Sequence, residues 1–298
     1  MEDTINLKEE VFRLGRVTGF PIGLLEKDYH LTKILHKISE KKIEHLVFKG
    51  GTCLNKCYLG FYRLSEDLDF VFNQDVKGMS KMQIKRILDE IRRKMFEILD
   101  GLNLETIKEI GKGWKMLTSK EEPKIIGLEI VSNYKSLIDN STQKIKIDVS
   151  FRKKLINPTK IRPIHHEFID SLGEPILKED VKIESIDLSE NFAEKFRALV
   201  TRKNIAVRDI YDIHFILKEN ILKIDEEIIA LILIKIKESS KSEFTRDDLR
   251  NFIISLDSKM SNLNEKEISA VLTSGKEVNV REMVRLIKHE VLKTISPL

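Results

Sequence analysis

Two aspartates stand two residues apart in Ser65-Glu66-Asp67-Leu68-Asp69-Phe70. Side chains alternate between the faces of a strand, so Asp67 and Asp69 point the same way, with backbones roughly 6–7 Å apart. Two carboxylates on one face can converge on hard divalent cations, which take oxygen ligands and, when paired, sit about 3.5–4 Å apart. A third acid, Asp148, falls within Lys144-Ile145-Lys146-Ile147-Asp148-Val149-Ser150-Phe151. There Ile145, Ile147, Val149 and Phe151 share one face and Asp148 takes the other. Neighbouring strands lie about 4.8 Å apart, so Asp148 reaches the same cations if its strand pairs beside 68–72. Three carboxylates are what two Mg²⁺ ions and a nucleoside triphosphate need for charge balance. Alone, an Asp-x-Asp in so charged a chain reads as surface carboxylates at a strand edge; its company decides.

That company begins with Phe48-Lys49-Gly50-Gly51-Thr52. Two glycines between an apolar run and a helix start expose backbone N–H groups with no Cβ in the way. Such a corner suits phosphate oxygens, aided by the helix dipole. It is neither the G-x-x-x-x-G-K-[ST] loop nor a G-x-G-x-x-G fingerprint. Lys49 lies beside the corner, and Thr52 is placed to cap a helix over 53–59. Arg63 and Ser65 flank the Asp-x-Asp and read as hydrogen-bonding supports for its loop. Further on, Lys195 and Arg202 are two helical turns apart and share one helix face. Asp209 and Asp212 are i,i+3 neighbours beside Arg208, suited either to ion pairs with Arg202 or Arg208 or to nucleotide contact. By composition alone, the Lys195/Arg202 face is a solvated stripe. Cys53 and Cys57 supply too few ligands for a metal and read as buried thiols. His165-His166-Glu167 lacks H-E-x-x-H spacing and reads as a polar loop, and Trp114 as a core or hairpin residue.

These residues need a scaffold. The chain has 298 residues, which at roughly 100–200 per domain gives one large domain or two modest ones. It is 41% hydrophobic and 34% charged, and apolar residues recur throughout, which excludes wholesale disorder. No apolar run approaches the ~18–20 residues that span a bilayer. The acidic start, MEDTINLKEE, is unlike a secretory signal. Two cysteines exclude a disulfide scaffold and fit a reducing cytoplasm. Lys and Arg number 52 against 48 Asp and Glu, a net +4, which permits a nucleic-acid partner without demanding one. Arg92-Arg93-Lys94 and Arg152-Lys153-Lys154 are compatible with phosphate-backbone contacts.

Periodicity predicts helices over 7–18 and 26–40, a strand over 45–49 and another over 68–72, then a long helix over 80–100. Strand-like stretches follow at 103–110, 114–118, 124–132 and 144–151. Residues 152–188 are Pro-rich and irregular. Helical patterns fill 190–203, 207–219, 226–237, 246–256, 264–273 and 279–295. The expected fold class is α+β, a mixed sheet with flanking helices followed by a C-terminal helical domain. Its expected divisions are 1–155 for the α/β core with N-terminal helices, 156–188 for a connecting segment and 189–298 for the helical domain.

Five stretches in order carry a resemblance: Glu26-Lys27-Asp28-Tyr29; Phe48-Lys49-Gly50-Gly51-Thr52-Cys53-Leu54; Arg63-Leu64-Ser65-Glu66-Asp67-Leu68-Asp69-Phe70; Lys146-Ile147-Asp148-Val149; and Glu194-Lys195-Phe196-Arg197-Ala198-Leu199 with Arg202 and Arg208-Asp209-Ile210-Tyr211-Asp212. Together, over about 20–220, they resemble the AbiEii/AbiGii-type nucleotidyltransferase toxins, within the DNA-polymerase-β-like nucleotidyltransferase superfamily. The resemblance implies Mg²⁺-dependent (or Mn²⁺-dependent) transfer of a nucleotide from a nucleoside triphosphate to an acceptor. Asp67, Asp69 and Asp148 would be the catalytic, metal-holding residues, and Lys49, Gly50, Gly51, Thr52, Lys195 and Arg202 would bind nucleotide. Arg63, Ser65, Arg208, Asp209 and Asp212 would support them, while Glu26, Lys27 and Asp28 would be structural. It further implies an RNA acceptor, the 3′ end of tRNA, a cognate antitoxin, an abortive-infection role and no membrane. The alternatives are nucleotide transfer onto a protein side chain and a non-catalytic nucleotide-binding module.

Overall fold

A computed structural model describes residues 2–76, 78–118, 125–151, 154–170, 172–239, 243–262 and 266–295. It divides into two compact units, Met1–Ile186 and Asp187–Leu298. The first opens with α1 (Glu2–Thr18) and α2 (Ile22–Lys41), then β1 (Leu46–Lys49), α3 (Gly50–Cys53) continuing as a π-helical segment Leu54–Leu59, and β2 (Asp67–Phe72). Next come α4 (Lys81–Gly101), β3 (Glu105–Thr106), β4 (Trp114–Thr118), β5 (Ile125–Lys135), β6 (Thr142–Ser150), β7 (Lys160–Pro163) and β8 (Lys182–Ser185). The strands form one mixed sheet in the order β3-β5-β6-β2-β1-β8-β7, with β4 also paired to β5. β2 runs parallel to β6, and β1 to β8; the remaining pairs are antiparallel.

One face of the sheet is core. Phe48, Phe70, Val149 and Leu128 lie opposite one another across four strands, and all are fully buried. Over them pack Leu31, Ile34, Leu35 and Ile38 of α2 and Ile84, Leu88, Ile91 and Met95 of α4. The α4 residues recur at three- and four-residue spacing and form one stripe. The helix starts where Ser80 and Gln83 close a capping box: the Gln83 N–H donates to Ser80 Oγ at 3.3 Å and the Ser80 N–H to Gln83 Oε1 at 2.8 Å.

Three expected elements differ. The stretch 152–188 contains β7 and β8, which extend the sheet beyond β1. They escape periodicity because each of these four-residue strands carries a single isoleucine, Ile161 or Ile183, where the equally short β1 is a run of apolar residues, and β7, an edge strand, ends in Pro163, a residue that edges tolerate. The helix expected over 53–59 begins at Gly50 with Lys49 as its N-cap, so Thr52 lies inside it and does not cap it. Of 103–110, only Glu105–Thr106 is strand.

The second unit comprises α5 (Leu188–Thr201), α6 (Val207–Lys218), α7 (Glu226–Lys237), α8 (Arg246–Ser255), a 3₁₀ turn Leu256–Asn262, α9 (Lys266–Ser269) and α10 (Val280–Ile295). Residues 264 and 265 of the expected 264–273 helix lie outside the described residues, and among the rest Lys266–Ser269 forms α9. α5 packs on α6 and α7, and α10 on α6 and α8. Asp187, Asp225 and Thr245 cap α5, α7 and α8 through side-chain oxygens. Among the described residues no helix is long and apolar enough to cross a membrane.

Candidate active site

The other face of the sheet carries charge. One residue along from the buried row, Lys49 of β1 lies opposite Asp69 of β2, Asp69 opposite Asp148 of β6, Asp148 opposite Glu129 of β5 and Glu129 opposite Lys115 of β4. Residues directly opposite share a face, at about 4.5–5.5 Å. A second row sets Asp67 opposite Lys146. Asp67, Asp69 and Asp148 therefore share one face of adjacent parallel strands, and each is half-buried.

The Gly50–Gly51 corner is shaped by these side chains. Gly50 has φ +79°, and a Cβ there would lie 2.5 Å from Asp69 Oδ2. At Gly51 a Cβ would lie 2.6 Å from Arg63 Nη2 and 3.3 Å from Ser65 Oγ. Only glycine lets the Asp69 carboxylate and the Arg63 guanidinium approach the backbone this closely. Arg63 is buried; its Nη1 donates to the Leu64 carbonyl at 2.9 Å, and Asn55 Nδ2 donates to the Arg63 carbonyl at 2.7 Å. Thr52 is buried as well, and its hydroxyl donates to the Asp67 carbonyl, tying the corner to β2.

Below lie the Glu26-Lys27-Asp28 residues. Glu26 accepts from Ser136 Oγ at 2.7 Å and from the Leu137 N–H at 2.6 Å. Lys27 pairs with Glu66 at 3.3 Å, and Asp28 with Lys56 at 2.6 Å, both fully buried. Cys53 and Cys57 are buried free thiols.

Electrostatics distinguish the acids. Burial and the neighbouring Asp69 carboxylate push Asp67 above the ordinary aspartate range. Burial likewise raises Asp148, against the pull of Lys146, whose Nζ stands 2.6 Å from Asp148 Oδ2. Asp148 Oδ1 is buried with no hydrogen-bond partner. Among the described residues no group of three His, Cys, Asp or Glu is gathered as a ready metal centre.

Glu129, Lys146 and Lys115 are absent from the sequence reading of the site. Lys146 Nζ also stands 3.2 Å from Glu129 Oε2, and Lys115 Nζ 2.7 Å from Glu129 Oε1. Burial pulls Glu129 upward, but the two lysines hold it below its ordinary value. The signal was available: Glu129 interrupts Leu128-Glu129-Ile130 just as Asp148 interrupts Ile147-Asp148-Val149.

In the second unit, Lys195 Nζ lies 2.9 Å from Asp209 Oδ1 and 2.8 Å from Asp212 Oδ2, and Arg202 pairs with Asp209. The expected stripe is thus a cluster in which both cations already hold carboxylates. Arg202 remains the exposed member, and Arg208 is half-buried. On α4, Arg92 stacks on Trp114 at 4.0 Å, Arg93 pairs with Glu97 at 2.6 Å and Lys94 with Glu90 at 3.0 Å. Residues 152 and 153 of the second basic run lie outside the described residues.

The fold is similar to two solved structures from Helicobacter pylori. JHP933 matches with a TM-score of 0.52 at 14% identity, covering 93% of each chain. A candidate nucleotidyltransferase matches with the same score and identity, covering 92% of this chain and 95% of its own. No curated protein sequence matches. The family model described as nucleotidyl transferase AbiEii toxin, type IV toxin–antitoxin system, matches residues 35–275. That span includes β1 through α9, and with it every charged residue of the rows above. The chain belongs to the AbiEii nucleotidyl transferase toxin family.

Proposed function

We propose that this toxin-family nucleotidyltransferase moves a nucleotide from a nucleoside triphosphate to an RNA acceptor, the 3′ end of tRNA, on the charged face of its sheet. The observation that supports this reading is the alignment of Asp67, Asp69 and Asp148 on adjacent parallel strands, with Gly50 directly beneath Asp69. The acceptor oxygen bonds to the α-phosphorus while the bond to pyrophosphate breaks.

The three carboxylates fit a Mg²⁺ ion. They offer only oxygen donors, Asp148 Oδ1 is buried without a partner, and Asp67 and Asp148 are raised by burial, a penalty a bound cation offsets. When bound, such an ion would polarise phosphate oxygens and make the acceptor hydroxyl easier to deprotonate. Asp67 and Asp69 would hold it, and Asp148 would serve both the ion and the acceptor hydroxyl. Lys49 and the backbone of Gly50 and Gly51 would face phosphate. Thr52, Arg63 and Ser65 fix that corner, the first through Asp67 and the others against Gly51. In the helical unit, taken by itself, Lys195 and Arg202 form a cationic group held by Asp209 and Asp212, which we assign to binding phosphate. A cognate antitoxin follows from the family.

The test is incubation of purified protein with total RNA, Mg²⁺ and each labelled triphosphate in turn. Label is expected at the 3′ end of RNA of tRNA size. Asp67→Ala is expected to keep its circular dichroism spectrum and transfer nothing. Label confined to the protein fraction, or triphosphate binding without turnover, would overturn the acceptor.

A further inference from the structure

We infer that Glu129 is a positioning residue for nucleotide transfer: it gives Lys146 a second seat, so that Asp148 can exchange a lysine for a metal ion. This rests on the reading of Asp67, Asp69 and Asp148 as the ion-holding set.

Lys146 precedes Asp148 by two residues on β6 and shares its face, while Glu129 faces Asp148 from β5. The ammonium bridges them, 2.6 Å from Asp148 Oδ2 and 3.2 Å from Glu129 Oε2. Lys115 holds the other Glu129 oxygen, Oε1, at 2.7 Å, which leaves Oε2 turned to Lys146. One oxygen of Asp148 is therefore covered by Lys146, and the other is buried with no partner.

A divalent ion arriving at Asp148 repels an ammonium on the same carboxylate. A lysine can yield because its ammonium is a point charge on a flexible stem, and Lys146 is 39% exposed. With Glu129 already at its side, it changes partner without entering water unpaired. Without Glu129, the carboxylates left beside it are Asp148 and, opposite it on β2, Asp67, both of the ion-holding set, so the lysine competes with the ion.

Mn²⁺ binding to the full chain, read from the electron paramagnetic resonance signal of the free ion, tests this. Glu129→Gln is expected to weaken Mn²⁺ binding about tenfold, and Lys146→Met to bind at least as tightly as the parent. In the Lys146→Met background, Glu129→Gln is expected to change affinity less than about twofold, because there is no lysine left to seat. Raised Mg²⁺ is expected to restore transfer by Glu129→Gln, which a folding defect would not allow. An equal loss from Glu129→Gln in both backgrounds would reduce it to a bulk charge effect and overturn the inference, as would no loss in the parent. Asp67→Ala monitors the underlying reading separately. If that variant binds Mn²⁺ like the parent, the ion site itself is wrong and the exchange falls with it.

Discussion

At the scale of single residues, Gly50 is where backbone and carboxylate meet. Any side chain there would collide with Asp69 and be strained at φ +79°. Gly50→Ala is therefore expected to cost about 1–3 kcal/mol of stability and to displace Asp69, so that transfer falls below detection. Gly60 is the control. It has φ +68° and open space where a Cβ would go, so Gly60→Ala is expected to lower the urea midpoint while transfer persists. The shared face of the three aspartates was legible in the sequence because strand alternation sets each charge on the side opposite its apolar neighbours. Glu129 carries a similar local signal, but its partnership with Lys146 and Asp148 follows only from the register of β6 against β5. No local pattern encodes that register. Glycine was read as an opening for phosphate; its approach to Asp69 and Arg63 needed the tertiary contacts.

At the scale of elements, segments with a run or stripe of apolar residues were readable, and short mixed ones were not. α4 declares itself by an apolar stripe and a cap, whereas β7 and β8 are too short for alternation to register. In the helical unit, α5 and α7 are joined by buried charge. Lys235 and Glu190 are fully buried and paired, with Glu194 and Glu238 each 3.6 Å from the ammonium. Removing one partner of such a pair leaves a buried charge uncompensated, at a cost of about 3–5 kcal/mol. Lys235→Met is expected to show that loss in chemical denaturation, and adding Glu190→Gln to recover most of it. Equal losses in the single and double variants would mean that the lysine stem, and not its charge, holds α7 to α5. Nothing in the local sequence marks this pair, since Lys235 and the exposed Lys237 alternate with isoleucines in the same short stretch, Ile234-Lys235-Ile236-Lys237.

At the scale of the whole molecule, acid should weaken the fold through α2. Burial, aided by Lys33, pushes His30 down to about 4. Burial, aided by His166 and Lys56, does the same to His36. The Nε2 of each is buried without a hydrogen-bond partner. The unfolded chain takes these protons near the ordinary histidine value, about 6.5, and the folded chain only near 4. Between those limits the unfolded state holds more protons, so this contribution is complete above about pH 6.5 and is lost as pH falls toward 4. The loss is on the order of 2–3 kcal/mol per ring. Urea midpoints measured from pH 7.5 to 4.5 are expected to fall, and His36→Leu to flatten the slope; an unchanged slope would remove His36 from this account. The same sheet has a consequence for how the protein is made. Asp69 and Asp148 stand opposite each other on adjacent strands yet are separated along the chain by α4, β3, β4 and β5. A ribosome stalled anywhere in that interval holds a fragment lacking β6 and Asp148; on the function proposed above, a cell halting synthesis midway is left with a product that transfers nothing.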